Sequence, residues 1–406
     1  MYQGNNNSRN RFGSRSNSSG RGYAPRRGGS SGSRGYGSKS TLDISRLINK
    51  VAITEEVEVY VAEHAFADFE VDQRLKQNII DKGYITPTPI QDKVITHILK
   101  DEDVVGIANT GTGKTAAFVI PLIDKILKNP KERVLIMAPT RELAIQIDEE
   151  LKTFARRLGI HSVVCVGGAP IGRQIASLRH VNHFVIGTPG RLKDLIERRV
   201  LNLSAFGTVV LDEADRMLDM GFINDMRYII ALMKKERHTL FFSATLSSTI
   251  EILIKDFLKS PVRISVKTQD TSKDVHQDVI RLKPGQNKLD ILHDLLKQED
   301  FSRVLVFGRT KHGVERLAEM LSKRGLRAES IHGNKNHNGR QRALEAFKNN
   351  RAQVLVATDV AARGLDISDI SHVINFDLPT TYEDYIHRIG RTGRAGKKGK
   401  ALSFVE

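Results

Sequence analysis

The stretch that decides the fold is Val209-Val210-Leu211-Asp212-Glu213-Ala214-Asp215, in which an apolar run leads directly into acidic residues. A fourth acid, Asp219, follows one helical turn later. A buried strand that ends in Asp-Glu can hold a metal ion and a general base beside a phosphate. The alternative interpretation is a helix N-terminus in which acidic side chains complement the helix dipole.

A second signal lies upstream, in Ala108-Asn109-Thr110-Gly111-Thr112-Gly113-Lys114-Thr115. This glycine-rich turn follows an apolar strand and precedes an apolar helix, Ala116–Ile123, which is the setting that a P-loop requires. The strict pattern has glycine where Ala108 stands, but the expected phosphate contacts do not depend on that position.

Together the two signals predict one nucleotide site. We expect Gly111 and Gly113 to let backbone N–H groups face the phosphates, and Lys114 to reach the outer ones. Thr115 and Asp212 are the predicted Mg²⁺ ligands, Asp212 through water, because Mg²⁺ loses its water shell reluctantly. Glu213 is the predicted general base, which orients the attacking water.

Around these signals, short β-branched runs alternate with helical patterns, which predicts an α/β fold with parallel sheets covered on both faces. The alternation spans residues 65–265, stops over residues 266–275, which read as a linker, and restarts over residues 276–406. We therefore expect two α/β domains. The predicted strands are Val104–Ala108, Val134–Ala138, Ser162–Val166, Phe184–Gly187, Thr208–Leu211, Leu240–Ser243, Val304–Phe307, Ala328–Ile331, Val354–Ala357, His372–Phe376 and Lys400–Phe404.

Length and composition exclude several classes of protein. A chain of 406 residues suggests two domains. The sequence contains no run of 18 apolar residues, so it predicts no membrane-spanning helix. The N-terminus has no apolar signal core, and a single cysteine, Cys165, excludes an intrachain disulfide framework. We therefore expect a soluble protein of the cytoplasm.

The net charge of +16 points to a polyanionic partner, most simply a nucleic acid. Residues 1–40 carry seven Arg and one Lys with no acid and few aliphatic side chains, which predicts a disordered tail. Its Arg-Gly-Tyr pattern favours contact with RNA, with a solubilising linker as the alternative. Residues 41–64 form an N-terminal extension with a predicted short helix.

These motifs, in this order, resemble the DEAD-box ATP-dependent RNA helicases of superfamily 2, from Phe66 to Phe404. The resemblance implies two tandem RecA-like domains, ATP and Mg²⁺ as cofactors, and RNA as the partner, bound as single strands or short duplexes with little sequence preference. It also implies an adenine-sensing segment, the Q motif, that includes Phe66, Gly83-Tyr84, Pro87-Thr88 and Gln91. There the Gln91 amide is expected to read the adenine edge and Tyr84 to stack on the ring, while Asp366 lies near the ribose.

The resemblance further implies a set of RNA-backbone residues. In the first domain these are Pro139, Thr140, Arg141, Gly167, Gly168, Thr188, Pro189, Gly190 and Arg191; in the second domain they are Arg340 and Thr358. His337 stands where the family often has Gln, so the fine positioning of RNA is expected to differ there. The chain stops at Glu406, where the family usually continues with a further helix, and we expect the second domain to be shortened at that end.

Finally, the resemblance assigns residues that join the two domains. Arg391 and Arg394 are implied as γ-phosphate ligands, and Asp215, Ser243, Thr245, Asp359 and His387 as the residues that couple the nucleotide to domain contact. This predicts RNA-stimulated ATP hydrolysis that depends on domain closure and opens short duplexes without processivity. Two alternatives remain open at this point: an ATP-gated RNA clamp with little turnover, and a DNA helicase or translocase.

Overall fold

A computed structural model describes residues 60–109, 111–266, 275–362, 367, 369–393 and 399–405. The predicted disordered tail, almost all of the N-terminal extension and most of the predicted linker lie outside these residues. Residues 60–64 are described and form no helix. Within the described ranges, no helix combines the length and the apolar character needed to span a bilayer.

The first part of the chain builds a seven-stranded parallel sheet. Its strands are β1 (Val104–Ile107), β2 (Val134–Met137), β3 (Ser162–Cys165), β4 (Phe184–Gly187), β5 (Thr208–Leu211), β6 (His238–Ser243) and β7 (Val262–Ser265). They lie in the order β3-β4-β2-β5-β6-β1-β7. The accompanying helices are α1 (Gln73–Asp81), α2 (Pro89–Leu99), α3 (Lys114–Lys128), α4 (Arg141–Phe154), α5 (Ile171–Leu178), α6 (Pro189–Glu197), α7 (Ala214–Asp219), α8 (Ile223–Ala231) and α9 (Ser248–Phe257).

The second part builds a six-stranded parallel sheet. Its strands are β8 (Val275–Arg281), β9 (Val304–Phe307), β10 (Ala328–Ile331), β11 (Val354–Ala357), β12 (His372–Asn375) and β13 (Gly399–Val405), in the order β10-β11-β9-β12-β13-β8. Its helices are α10 (Lys288–Leu296), α11 (Lys311–Lys323), α12 (His337–Lys348), α13 (Asp359–Ala362) and α14 (Tyr382–Ile389).

The central strands of the first sheet are apolar on both faces because helices cover both. Along β2, for example, Val134 and Ile136 join one hydrophobic cluster, whereas Leu135 and Met137 join a second cluster on the opposite face. Successive side chains of a strand point to opposite faces, so a strand buried on both sides reads as a continuous apolar run. The predicted α/β fold of two parallel sheets flanked by helices is confirmed.

Sequence reasoning missed the two edge strands that flank the predicted linker. In β7 the exposed side chain of Arg263 alternates with the buried side chain of Ile264, and β8 is also partly exposed. Both strands mix exposed and buried residues, so their apolar signal is weak. As a correction, β8 begins at Val275, the last residue of the predicted linker, and β6 begins two residues before the predicted Leu240.

Candidate nucleotide and RNA site

The predicted motifs of the first domain meet at one edge of the first sheet. Because all strands of this sheet run parallel, their carboxyl ends lie together, and ligands of open α/β sheets bind outside such an edge. The residues that follow directly are Ala108 after β1, Ala138-Pro139 after β2, Thr188 after β4, Asp212 after β5 and Ala244 after β6. The fold thus gathers segments that lie far apart in the chain.

The P-loop adopts the backbone that its glycines predict. Gly111 and Gly113 have φ angles of 86° and 89°, a region that side chains other than glycine's rarely enter. Lys114 begins helix α3, and its Nζ donates a hydrogen bond to the carbonyl of Ala108 at 2.7 Å. The Lys114 side chain therefore lies inside the loop. To bind Lys114, a phosphate would have to replace the Ala108 carbonyl as its hydrogen-bond partner. Thr110 lies outside the described residues.

Asp212 carries the clearest signal for a cation. Its side chain is buried, and its Oδ1 has no hydrogen-bond partner among the described atoms. Burial raises the pKa of this carboxyl above its usual range, while the nearby charge of Lys114 opposes the shift. A buried acceptor without a partner calls for an unseen ion or water.

The residues present fit Mg²⁺ held partly by water and phosphate. Asp212 supplies one carboxylate, and the half-buried Thr115 lies in the first turn of helix α3. Among the described residues, no group of three or more His, Cys, Asp or Glu could form a metal cage. Mg²⁺ usually keeps several waters and takes one or two carboxylates together with substrate phosphates, so this sparse set suits it.

Glu213, the predicted general base, occupies a strained position and is held by a partner that sequence reasoning missed. Its φ and ψ of 53° and 51° are left-handed, which costs a residue other than glycine about 1–2 kcal/mol. Arg216 Nη1 donates to its Oε2 at 2.6 Å, and both side chains are almost fully buried. The i,i+3 spacing of the two residues at a helix start was the signal available in the sequence.

Asp215 connects the acidic stretch to the segment after β6. Its Oδ2 accepts hydrogen bonds from the N–H of Ala244 at 3.0 Å, the N–H of Thr245 at 2.9 Å and the Thr245 hydroxyl at 3.1 Å. Ser243 in turn donates its hydroxyl to the Thr245 carbonyl at 2.8 Å. The structure thus brings together three residues that were predicted to couple the nucleotide to domain contact, and it gives Asp215 no metal-ligand role.

The predicted adenine segment packs directly on the P-loop. Gln91 Nε2 donates to the carbonyl of Gly113 at 3.0 Å, and its Oε1 accepts from the N–H of Thr88 at 2.9 Å. The Thr88 hydroxyl donates to the carbonyl of Thr112 at 2.8 Å. Gln91 is buried, so its amide first links the segment to the P-loop, and reading of an adenine edge stays a prediction.

Two aromatic residues of the predicted adenine site differ in their accessibility. Phe66 is 1% exposed and packs edge-on against Tyr84, with ring centroids 5.4 Å apart. Because Phe66 is buried against Tyr84, its contact with adenine stays a prediction. Tyr84 is half-buried between the rings of Phe66 and Phe154, so stacking on a base stays a prediction for it.

Among the predicted RNA residues, Arg141 lies over Gly167 and Gly168. A side chain at Gly168 would overlap the Arg141 guanidinium, and Gly168 has a φ of 75°. The Arg191 side chain is held within its own domain, because its Nη1 donates a hydrogen bond to Gln174 Oε1 at 3.0 Å. Thr140 caps helix α4 with a 3.2 Å hydrogen bond, and the RNA contacts of Thr188, Pro189 and Gly190 stay predictions.

Arg340 reaches from helix α12 to the first sheet's helix α4. Its Nη2 lies 2.9 Å from Glu142 Oε2, with both side chains about nine-tenths buried, although the atoms are not aligned as a hydrogen bond. Burial lowers the pKa of the neighbouring Arg141, and the charge of Arg340 lowers it further. Two arginines that repel each other provide a place where a phosphate would be stabilised.

The second sheet gathers its own motif residues around Arg388, which sequence reasoning did not single out. Arg388 forms a bidentate pair with Asp359, at 2.5 and 2.8 Å, and donates to Asn375 Oδ1 at 3.0 Å. Its guanidinium lies 4.9 Å from the centroid of the Phe307 ring. A fourth hydrogen bond goes to the carbonyl of Asp377 at 2.6 Å, and these bonds together with its burial mark Arg388 as the anchor of helix α14.

The structure describes only some of the remaining residues that were predicted to act in the second domain. Arg391 is 4% exposed, and its Nε donates to the carbonyl of His387 at 3.3 Å, so its contact with a γ-phosphate stays a prediction. His387, Asp359 and Arg391 line a common shallow pocket. Thr358 is buried after β11, and Asp366 and Arg394 lie outside the described residues.

The fold and this site define a P-loop protein built from two RecA-like domains. The DEAD/DEAH box helicase family model matches residues 88–253, and the model of the helicase conserved C-terminal domain matches residues 287–396. The chain belongs to the DEAD/DEAH box helicase family.

Named relatives and solved structures agree with this assignment. A DEAD-box ATP-dependent RNA helicase CshA of Streptococcus pneumoniae serotype 4 is 46% identical over 342 residues, which are 84% of this chain and 65% of the relative. The protein of the same name from Bacillus licheniformis is also 46% identical, over 84% of this chain and 70% of its own length. The chain thus spans about two thirds of the length of these relatives.

Two solved structures show the same architecture. Saccharomyces cerevisiae Dbp5 bound to RNA and ADP BeF3 is 29% identical, with a TM-score of 0.75 over 84% of this chain and 89% of that chain. Mss116p bound to ssRNA and AMP-PNP is 30% identical, with a TM-score of 0.76 over 84% of this chain and 75% of that chain.

Proposed function

We propose that this protein is an RNA-dependent ATPase that opens short RNA duplexes locally or remodels RNA–protein complexes, with ATP and Mg²⁺ as cofactors. The observation that carries the proposal is the buried carboxylate oxygen of Asp212, which has no hydrogen-bond partner among the described residues and lies near the charge of Lys114. The names of the relatives, ATP-dependent RNA helicases, and of the RNA-bound structures support the choice of substrate.

Each residue of the site has a chemical task in this proposal. Lys114 would leave the Ala108 carbonyl to neutralise the outer phosphates, and Asp212 and Thr115 would hold the Mg²⁺ ion. Bound Mg²⁺ would neutralise the charge that develops on the transferred phosphoryl group. Glu213, fixed in place by Arg216, accepts the proton of the attacking water.

Domain closure completes the site. Arg391 and Arg394 belong to the second domain and reach the γ-phosphate only when the domains come together; such an arginine raises phosphoryl transfer about 10³–10⁵-fold. RNA bound across both domains favours closure, and linkage requires that ATP strengthens RNA binding by the same factor. Bending of one strand on closure expels its partner, and hydrolysis resets the open state, which makes unwinding non-processive. We place this activity in the cytoplasm.

The experiment is ATP turnover measured with and without RNA, in the wild type, in Glu213→Gln and in Glu251→Gln. Glu251 is a control of the same chemistry, because it pairs with Arg263 on the exposed surface of the first domain. We expect RNA to stimulate the wild type and Glu251→Gln, and Glu213→Gln to lose turnover.

Four outcomes would contradict the proposal. RNA-independent turnover, or full activity of Glu213→Gln, would remove the assigned mechanism. Stable trapping on RNA with no turnover would indicate an ATP-gated clamp instead. Matched RNA and DNA competitors are compared in the same assay, and stronger stimulation by DNA would indicate a DNA helicase or translocase.

A further inference from the structure

Asp92, the residue after Gln91 on helix α2, receives three hydrogen bonds from the segment that precedes the first domain. The Tyr60 hydroxyl lies 2.5 Å from its Oδ2, and the N–H of Glu63 lies 2.8 Å from the same oxygen. The Nδ1 of His64 lies 2.7 Å from its Oδ1. Asp92 is 2% exposed, whereas Tyr60 and His64 are each more than a third exposed.

The segment of residues 60–69, here called the N-terminal strap, includes Phe66 of the predicted adenine segment and also contacts the part of that segment near Tyr84. The N–H of Phe66 donates to the carbonyl of Ile85 at 3.1 Å. The rings of His64 and Phe69 stack at 5.6 Å, and Phe66 packs against both Phe69 and Tyr84. The strap therefore holds the adenine segment at two points, near Ile85 and at Asp92.

The carboxylate at Asp92 is stabilised in its charged form. Burial alone would raise the pKa of Asp92, but the hydrogen bonds from Tyr60, Glu63 and His64 outweigh it and lower the pKa. Burial and the hydrogen bond to Asp92 raise the pKa of Tyr60 to about 12. Charge-assisted hydrogen bonds of this kind are about twice as strong as neutral ones, so Asp92 is a firm anchor for the strap.

From Asp92 the contacts continue into the P-loop. Gln91 directly precedes Asp92 in the same helical turn, and its side-chain amide forms hydrogen bonds with the backbone of Gly113 and Thr88. The capping box that joins Thr88 and Gln91 fixes the start of helix α2. Gln91 and Thr88 bond carbonyls of the P-loop, whereas phosphates are expected to meet its N–H groups, so a shift in the first turn of α2 should disturb the adenine segment more than the phosphate contacts.

We propose that Asp92 is a positioning residue that fastens the N-terminal strap over the adenine segment and so sets the affinity for the base, but not for the phosphates. The proposal rests on the proposed function, because it presupposes an adenine nucleotide in this site. Asp92 touches no nucleotide itself and acts through Gln91, Tyr84 and Phe66.

The test measures the affinity of the full chain for ADP and for inorganic pyrophosphate, in Asp92→Asn and in a matched control, Asp124→Asn. Asp124 is equally buried on helix α3 and also anchors an upstream segment, because its Oδ1 accepts from the N–H of Asp72 at 2.8 Å. We expect Asp92→Asn to weaken ADP about tenfold, a loss that one charge-assisted hydrogen bond can account for. Pyrophosphate affinity in Asp92→Asn, and both affinities in Asp124→Asn, should match the wild type.

Hydrogen exchange of residues 60–69 reports whether the strap has loosened, and Tyr60→Phe, which removes one donor, serves if Asp92→Asn fails to fold. A loosened strap with unchanged ADP affinity would overturn the proposal, and so would an equal loss of ADP and pyrophosphate, which indicates damage to the P-loop. A wild-type chain that binds pyrophosphate but not ADP would refute the proposed function and the strap's role together. A wild-type chain that binds ADP while Asp92→Asn loses none of it refutes the strap alone.

Discussion

Replacement of Arg216 by methionine tests whether this buried arginine holds the predicted general base. The Arg216 Nη1 to Glu213 Oε2 distance is 2.6 Å, and the two side chains are 2% and 5% exposed. Removal of one partner of a buried pair costs about 3–5 kcal/mol, because the other charge is left buried without compensation. Arg216 Nη2 has no hydrogen-bond partner among the described residues, so we expect the lower end of that range.

The assay is calorimetric unfolding of the full chain. For a domain of roughly 200 residues, each kcal/mol shifts Tm by about 2–4 °C, so Arg216→Met should lower the transition of the first domain by about 6–12 °C. Arg263→Met is the control: Arg263 forms a bidentate pair with Glu251 at 2.8 and 2.9 Å, but on the surface, where a pair contributes less than about 1 kcal/mol.

A double variant separates pairing from packing. Glu213→Gln combined with Arg216→Met leaves no buried charge in the pair, so it should be more stable than Arg216→Met alone. If Arg216→Met unfolds at the temperature of Arg263→Met, or if the double variant recovers nothing, the argument that Arg216 compensates a buried carboxylate is refuted.

Three further predictions follow from single residues. Gly113→Ala should destabilise the P-loop by about 1–2 kcal/mol and weaken nucleotide binding, because its φ is 89° and an added methyl group would collide with Gln91 Nε2; unchanged ADP affinity would contradict this. Cys165 is fully buried, and burial raises the pKa of its thiol to about 12. A thiol reagent should therefore modify the chain only after denaturation. If the folded chain reacts as fast as an exposed thiol does, strand β3 must open. Burial, assisted by the charge of Lys400, lowers the pKa of His372 from 6.5 to about 4. As the pH falls, the unfolded chain therefore takes up a proton at this residue before the folded chain does. The free energy of unfolding should fall by about 3 kcal/mol between pH 6.5 and pH 4. His372→Gln should flatten that decline in acid unfolding curves, while the same change at exposed His312 should not.

The central strands could be predicted from the sequence because burial on both faces leaves an unbroken apolar run. The bounds of β5 and β9 match the expectation residue for residue. The edge strands β7 and β8 could not be found in this way, since a half-exposed strand mixes apolar and charged residues. The backbone of the P-loop was also predictable, because only glycine enters the φ range that Gly111 and Gly113 occupy.

For the site, the sequence leads to a set of candidate residues, but it does not predict the bonds between them. The sequence shows that Gln91 has an amide, but not that Thr88 and Gly113 satisfy much of it. It shows an arginine at 340 and a glutamate at 142, but their ion pair joins elements far apart in the chain. Such contacts depend on tertiary packing, and a single sequence carries no local signal for them.

The hydrogen bonds of Asp215 also restrict which residue can stand there. One carboxylate oxygen faces three donors from Ala244 and Thr245, and the other faces the N–H of Arg216 at 3.0 Å. Asparagine has the same shape but only one oxygen, so its NH₂ group would point at donors on one side whichever way the amide turned. The last acid of this stretch is therefore fixed by the need to accept on both sides, independently of any metal or phosphate nearby.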